Sequence, residues 1–494
     1  MYLAGLDLGT TGCKISVFKE SGECIDRIYN EYPVSRTRSG HEIDANDLLA
    51  GVMDVVSQAV KKYDCIGGIG VTSFGESFVM LDENDAPLHP IILYTDPRGQ
   101  GECDELVEKI GFDRIVEITG VSPAAMYGLP KLMWLKNNKP ELYNKAKRVL
   151  LIEDYIVYIL TKVAQIDYSL ATRTLAFDIK NLCWSKEIFQ VAGIDMNLFA
   201  KPVPTGTAAG NICDKVKAEL GATNDILIVS ISQDQVAAAI GSGVFDETAA
   251  CDGAGTVECV TPVFENYDSK IMAKYGYATI PYIVPGKYVC YAFTFSGGAL
   301  VKWFVDNLAG KAHNEAKEQG KRVYSILEGD WNDEPTGLLV LPHFAGAATP
   351  YMDPGSKGAI VGLTLATTLQ ELHLANMEGI CYEMRLNRER LKETGVLVNG
   401  LRATGGGANS AVWLQMKADI LNIPVTSLNV EEAGATGSAM LVGIALGVYK
   451  DLNDASSRMI SDKKTYYPRP EVTAKYDVYY EKYKKLYDSV RPLV

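Results

Sequence analysis

No Cys-x-x-Cys pair occurs in this 494-residue chain, whose ten cysteines are scattered singly, and its five histidines (His41, His89, His313, His343, His373) show no ligand spacing. A structural zinc centre or redox dithiol therefore has no support, and reduced thiols in the cytoplasm are expected. Neither a basic lead followed by an apolar core nor an uninterrupted apolar run of about 18 residues is present, so the chain is expected to be neither secreted nor membrane-spanning. Basic clusters are missing too. Lys and Arg occur at most as adjacent pairs such as Lys484-Lys485, against a formal net charge of −13, which argues against a nucleic-acid partner. No Gly-Lys-[Ser/Thr] follows any glycine-rich turn, which excludes a Walker-type phosphate loop.

What is present is an ordinary globular composition, 47% hydrophobic and 22% charged, over a length that exceeds one hydrophobic core. Two domains are expected. The chain opens with strand material at Tyr2 to Asp7, Lys14 to Phe18 and Cys24 to Tyr29. A helical stripe follows at Leu48, Val52, Val55, Val56, Ala59 and Val60, with Asp44 or Asn46 as cap, and then a buried strand at Ile66 to Thr72. The order is β-β-β-α-β. After Phe245 the same grammar restarts, with Ala249 to Asp252, a glycine turn, and Val257 to Thr261. The boundary is expected near residues 244 to 248, dividing the chain into 1–245 and 246–494 with a ligand cleft between two similar α/β halves.

Chemistry concentrates at the turns of this pattern. Leu6-Asp7-Leu8-Gly9-Thr10-Thr11-Gly12 puts a carboxylate at a strand end before a Gly/Thr turn, where small residues let backbone N–H groups and hydroxyls approach phosphate oxygens and Asp7 can hold Mg²⁺. A plain hairpin turn is the competing reading. Asp252-Gly253-Ala254-Gly255-Thr256 repeats the arrangement in the second half. Thr404-Gly405-Gly406-Gly407-Ala408-Asn409-Ser410 joins an apolar strand to a helix and suits a flat ring or a phosphate, or is simply a flexible connection. Ser232-Gln233-Asp234-Gln235 ends an apolar strand, where Asp234 either accepts the proton of an attacking alcohol or only caps the next helix. Thr72-Ser73-Phe74-Gly75-Glu76 and Tyr94-Thr95-Asp96-Pro97-Arg98 offer groups for a hydroxyl-rich ligand, with ordinary surface polarity as the alternative.

In order along nearly the whole chain, LDLGTTGCK, YGLPKLMWLKNN (Tyr127 to Asn138), SQDQVAAAIGSG (Ser232 to Gly243), DGAGT, GAIVGLTLATTLQELHLANMEG and RATGGGANSAVWLQMKADI resemble the FGGY family of carbohydrate kinases. The resemblance implies two actin-like, ribonuclease-H-like domains closing on MgATP and a small sugar. It makes Asp234 the catalytic base and places Asp7 and Asp234 at Mg²⁺, Thr10, Thr11, Gly255 and Thr256 at the phosphates, and Gly405, Gly406, Gly407 and Asn409 at the adenosine. Phe74, Gly75, Glu76, Asp96, Arg98 and Gln235 would line the sugar. Gly128 and Asn376 depart from the family signatures without touching the chemistry.

The segment Ser73-Phe74-Gly75-Glu76 matches neither the Gln-Met-His-Gly of many xylulokinases nor the Asn-Gln-Arg-Glu of glycerol kinases. It feels nearest to pentulose and deoxyketose kinases, so xylulose or a related ketose phosphorylated at a terminal hydroxyl is the expected substrate. Gluconate, glycerol or another polyol is the alternative. An anionic aldonate should be repelled by Glu76, Asp96 and Asp234, and Gly75 should leave space that glycerol cannot fill. A non-metabolic actin- or Hsp70-like ATPase switch is the rival from another class; it would call for a further partner-binding domain or loss of Asp234. No nucleic acid or membrane partner is expected, and a homodimer is allowed.

Overall fold

The chain, seen in a computed structural model that describes residues 1–37, 40–329 and 331–494, divides into two compact units. The first comprises Met1–Gly243, Ala278–Val289 and Glu432–Ser461; the second comprises Val244–Tyr277, Cys290–Glu431 and Asp462–Val494.

In the first unit β1 (Tyr2–Leu8), β2 (Gly12–Lys19) and β3 (Cys24–Glu31) form an antiparallel meander, α1 spans Ala45–Lys62, and β4 (Ile66–Ser73) returns parallel to β1. Asp44 caps α1 by accepting the Asn46 N–H at 2.8 Å. Below the cap, Leu48, Val52, Val55, Val56 and Ala59 recur at helical spacing and are fully buried. Each of the larger ones contributes about 1.5 to 3 kcal/mol of burial, so a charge at Val52 would unseat the helix. Two short strands, Val34–Thr37 and Gly40–Ile43, intervene before α1. Their exposed Ser35, Arg36 and Thr37 supply no apolar alternation from which a strand could be read.

Later in this unit β5 (Thr207–Asn211) pairs with β6 (Leu227–Gln233), and α3 (Asp234–Gly241) follows directly; α2 (Tyr168–Thr172) lies earlier in the chain. The sheet order is β5-β6-β4-β1-β2-β3, with β6, β4 and β1 mutually parallel. The helix Ala433–Ala445, from far down the chain, packs on β1 and α3. Small residues permit it: a Cβ on Gly5 would lie 2.6 Å from the Ala435 carbonyl oxygen.

The second unit repeats this plan. Strands β7 (Ala250–Ala254) and β8 (Glu258–Phe264) form a hairpin, and α4 (Gly298–Leu308) and α5 (Leu369–Glu393) precede β9 (Leu401–Thr404), α6 (Ala411–Leu421), β10 (Val425–Leu428) and β11 (Asp462–Tyr466). The order is β8-β7-β9-β10-β11, with β7, β9 and β10 parallel and β8 and β11 antiparallel to their neighbours, and with Ala292–Thr294 paired outside β8. This is the order and sense of β2-β1-β4-β6-β5 with β3 outside. The restart after Phe245 is therefore a repeat of topology, and both units have the ribonuclease-H-like α/β fold. Among the described residues no helix is long and apolar enough to cross a membrane.

Candidate functional site

In the first unit the parallel strands β6, β4 and β1 end side by side, with Gln233 opposite Ser73 and Ser73 opposite Leu8. Asp234, Glu76 and Asp7 therefore gather at the carboxyl edge of one sheet, where open α/β sheets bind ligands. Asp234 is the first residue of α3. Its Oδ1 accepts the Gln235 N–H at 2.7 Å and the Gln233 amide, and Gln233 in turn caps the helix through the same Gln235 N–H at 2.9 Å. The Asp234 side chain thus takes part in capping without being the only cap.

Burial pushes the Asp234 carboxyl up to about 7, helped by the negative charge of Asp7 and partly offset by the Gln235 N–H. Burial also raises Asp7, to about 6, with Lys14 pulling down and Glu432 pushing up. Lys14 in turn bonds Glu432 at 2.6 Å. Glu432 precedes the helix Ala433–Ala445, and sequence reasoning missed it; the signal was an acidic pair opening a helix of small residues. Thr10 and Thr11 occupy the β1-β2 turn, which the Tyr32 hydroxyl holds from behind by donating to the carbonyls of Gly9 and Gly12.

Glu76 sits in a tight turn after β4. The Phe74 N–H still bonds Leu8 O at 3.0 Å, the Ser77 N–H returns to Gly75 O at 2.8 Å, and Glu76 itself has φ +67°. Its carboxylate is not open at both oxygens: Arg173, just after α2, donates through Nε at 2.6 Å and through Nη2, both to Oε1. A Cβ on Gly75 would come within 2.8 Å of Arg173 Cγ. The room at Gly75 thus holds the arginine side chain, which corrects the expectation that it is space a ligand must fill. Arg173 also escaped sequence reasoning, although a lone charge in the otherwise uncharged Ser169-Leu170-Ala171-Thr172-Arg173-Thr174-Leu175 demands a partner.

Asp96 and Arg98 are likewise occupied with one another. Asp96 accepts Arg98 Nε at 2.8 Å, Arg98 Nη2 at 2.7 Å and the His41 N–H at 2.7 Å, while Arg98 also bonds Glu42 and lies over Trp134. Burial alone would raise Asp96, but these bonds outweigh it and bring the carboxyl down to about 2. Beneath them Lys131 donates to the carbonyls of Asp96 and Arg98, and its burial lowers it to about 8. The expected repulsion of an anionic acceptor is therefore weaker than the bare sequence implies, because Glu76 and Asp96 each carry an arginine.

In the second unit a cavity of about 1010 Å³ is lined by Gly255, Thr256, Gly406, Gly407, Asn409 and Tyr324, among others. The β7-β8 turn is stitched to α4 by Gly298 N–H to Gly255 O and Ala299 N–H to Thr256 O, both 2.9 Å. Gly405 has φ +82°, and a Cβ there would meet Ala254 O at 2.7 Å, whereas a Cβ on Gly406 meets nothing within 4 Å and would project into open space. Asp252 does not reach the cavity as a free carboxylate. It is fully buried and bonds Lys417 at 2.7 Å, and Lys417 also donates to buried Glu258. One cation serves two carboxylates, and burial holds Glu258 well above the usual range.

Comparison with known proteins agrees with this architecture. The sequence models of the N-terminal and C-terminal domains of the FGGY family of carbohydrate kinases match residues 2–241 and 254–446. A xylulose kinase of Staphylococcus xylosus is 26% identical over 493 residues, covering 99% of this chain and all of the relative, and one of Bacillus subtilis is 27% identical over 500 residues, covering 100% and 98%. A solved ligand-bound xylulose kinase of Lactobacillus acidophilus superposes with a TM-score of 0.88 at 23% identity, over 99% of this chain and 98% of that one, a likeness of fold. The chain belongs to the FGGY family of carbohydrate kinases. It is a sugar kinase, a phosphotransferase acting on an alcohol group.

Proposed function

We propose that this kinase transfers the terminal phosphoryl group of ATP to a terminal hydroxyl of a small ketose, with xylulose the first acceptor to try. The observation that carries the reading is the meeting of Asp234, Glu76 and Asp7 at the ends of three adjacent parallel strands, with Asp234 raised to about 7. A base poised near neutrality accepts the proton of the attacking hydroxyl as the oxygen–phosphorus bond forms and the bond to the ADP oxygen breaks. Asp234 is that base. Gln235 and Gln233 orient its carboxylate through Oδ1, and Glu76 takes a hydrogen bond from another hydroxyl of the sugar.

The glycine-lined cavity of the second unit fits a nucleotide: Gly406 leaves one side open to a flat ring, and Gly255 and Thr256 present the β7-β8 turn to phosphates. In the first unit the β1-β2 turn with Thr10 and Thr11 is the candidate phosphate-binding turn. Asp7 and Asp234 fit Mg²⁺, because two buried carboxyls, each raised by its burial and with Asp7 adding its charge to the rise at Asp234, gain from a hard cation. Bound Mg²⁺ would neutralise charge on the phosphates. Among the described residues no group of three or more His, Cys, Asp or Glu is arranged to hold a metal, so water and phosphate oxygens must complete its shell. Among the described residues no disulfide joins any of the ten cysteines, in keeping with the cytoplasmic enzyme proposed here. A homodimer is the assembly to look for.

Xylulose is favoured by the two relatives of that name matched end to end. Gluconate and glycerol kinases also occur among the relatives, and the arginines on Glu76 and Asp96 remove much of the charge that would repel an aldonate. ADP release from ATP, measured over D-xylulose, L-xylulose, ribulose, fuculose, gluconate and glycerol, decides between them. Turnover on gluconate or glycerol with none on any ketose would overturn the ketose assignment.

A further inference from the structure

The Arg173–Glu76 pair is an expensive arrangement. Both side chains are less than a tenth exposed, and burying two charges costs several kcal/mol per ion, which a hydrophobic pair of similar volume would avoid. Glu76 also adopts a left-handed backbone, a strain that non-glycine residues tolerate mostly at functional sites. The pair is held from several sides. The guanidinium lies 5.1 Å from the centre of the Tyr127 ring, the Gly128 N–H bonds Arg173 O at 3.3 Å, and the Leu129 N–H bonds Thr174 O at 2.9 Å. Both prongs of the arginine meet Oε1 of Glu76, and among the described residues nothing bonds Oε2.

We propose that Arg173 is the positioning residue that sets sugar specificity, fixing Oε1 of Glu76 against Gly75 so that Oε2 is presented as an oriented acceptor for one sugar hydroxyl. The inference rests on the carbohydrate-kinase reading of the carboxylate cluster and adds the residue through which Glu76 acts. Arg173 does its work without touching the reacting atoms. Its two N–H donors hold the carboxylate in one orientation, so the acceptor does not rotate. A sugar lacking the hydroxyl in question, or carrying it with the opposite configuration, would leave Oε2 desolvated and unpaired.

The test uses the full-length enzyme, the best acceptor from the panel above, and the variants Arg173→Met, Arg173→Lys, Glu76→Gln and the double variant. Arg173→Met should raise the sugar KM about 10- to 100-fold, the usual worth of a charge-assisted bond, with the KM for ATP changed less than about twofold. Arg173→Lys should recover part of the loss. In the Glu76→Gln background Arg173→Met should add little, since both act through one contact. Monodeoxy analogues should single out one position whose penalty in the wild type disappears in Arg173→Met. If Arg173→Met fails to fold, Gly75→Ala, which keeps both charges but displaces the arginine stem, should raise the sugar KM in the same selective way. An unchanged sugar KM in Arg173→Met or Gly75→Ala, or losses in the single variants that multiply in the double, would overturn the proposal. Activity confined to gluconate or glycerol would instead overturn the ketose reading, and the same variants would then be scored on that acceptor.

Discussion

Asp7 stands close enough to Asp234 for its negative charge to add to the burial that lifts the Asp234 carboxyl to about 7. A base raised in this way is protonated, and idle, below that range. The kcat/KM of the enzyme should therefore fall tenfold per pH unit below about pH 7 and level off above it, because this profile reports the free enzyme. A profile flat from pH 5 to 8 on a non-ionising sugar would remove Asp234 from the role of base.

Asp234→Asn should lower turnover by about 10² or more while leaving ATP affinity within about twofold, as an amide accepts no proton. Calorimetry with ATP and a coupled assay separate the two effects.

The same shift has a consequence for stability, with a definite sign. The folded pKa of Asp234 lies above the unfolded value near 3.8, so its protonated form is favoured by folding, and the stability this gives is full below about pH 3.8 and is lost as pH rises from there through about 7. Relative to the wild type, Asp234→Asn should accordingly gain about 1 to 3 kcal/mol in ligand-free protein between pH 5 and pH 8.5, each pKa unit being about 1.4 kcal/mol. Denaturant melts at the two pH values measure this. A stability gap independent of pH would contradict the shifted carboxyl.

Gly406→Val should weaken nucleotide binding by 10-fold or more and spare the sugar, because Gly406 lines the cavity and a Cβ there meets nothing within 4 Å, so the added bulk takes room from the ligand. Titration of ADP and of sugar separately gives the answer. Equal loss for both ligands would indicate general misfolding.

Lys417→Met should cost about 3 to 5 kcal/mol, since it strands Asp252 and Glu258 in the interior without their cation. Thermal unfolding reads the loss, and nucleotide affinity should fall with it because Asp252 and Glu258 flank the turn that carries Gly255 and Thr256.

Much of this molecule is written in local pattern. The stripe from Leu48 to Val60 predicts α1, alternation and turn residues predict β1 to β3, and the glycine turns at Gly9, Gly255 and Gly405 mark where backbone must approach something closely. These signals survive in sequence because helical and strand periodicities, and the freedom of glycine, act over a few residues. What remained hidden depends on partners far apart in the chain. Glu76 and Asp96 read as free acceptors until Arg173, 97 residues beyond Glu76, and Arg98 are seen on them. Asp252 reads as a twin of Asp7 until Lys417, 165 residues away, claims it. The helix Ala433–Ala445 reads as part of the second half, yet its small residues pack it on β1 and α3 of the first unit, bringing Glu432 to Lys14 and within electrostatic reach of Asp7. Residue type and spacing determined the fold and the kind of chemistry. Only the tertiary structure decided which charges are free to meet a ligand, because a charge in a low-dielectric interior is neutralised by whatever the packing brings beside it.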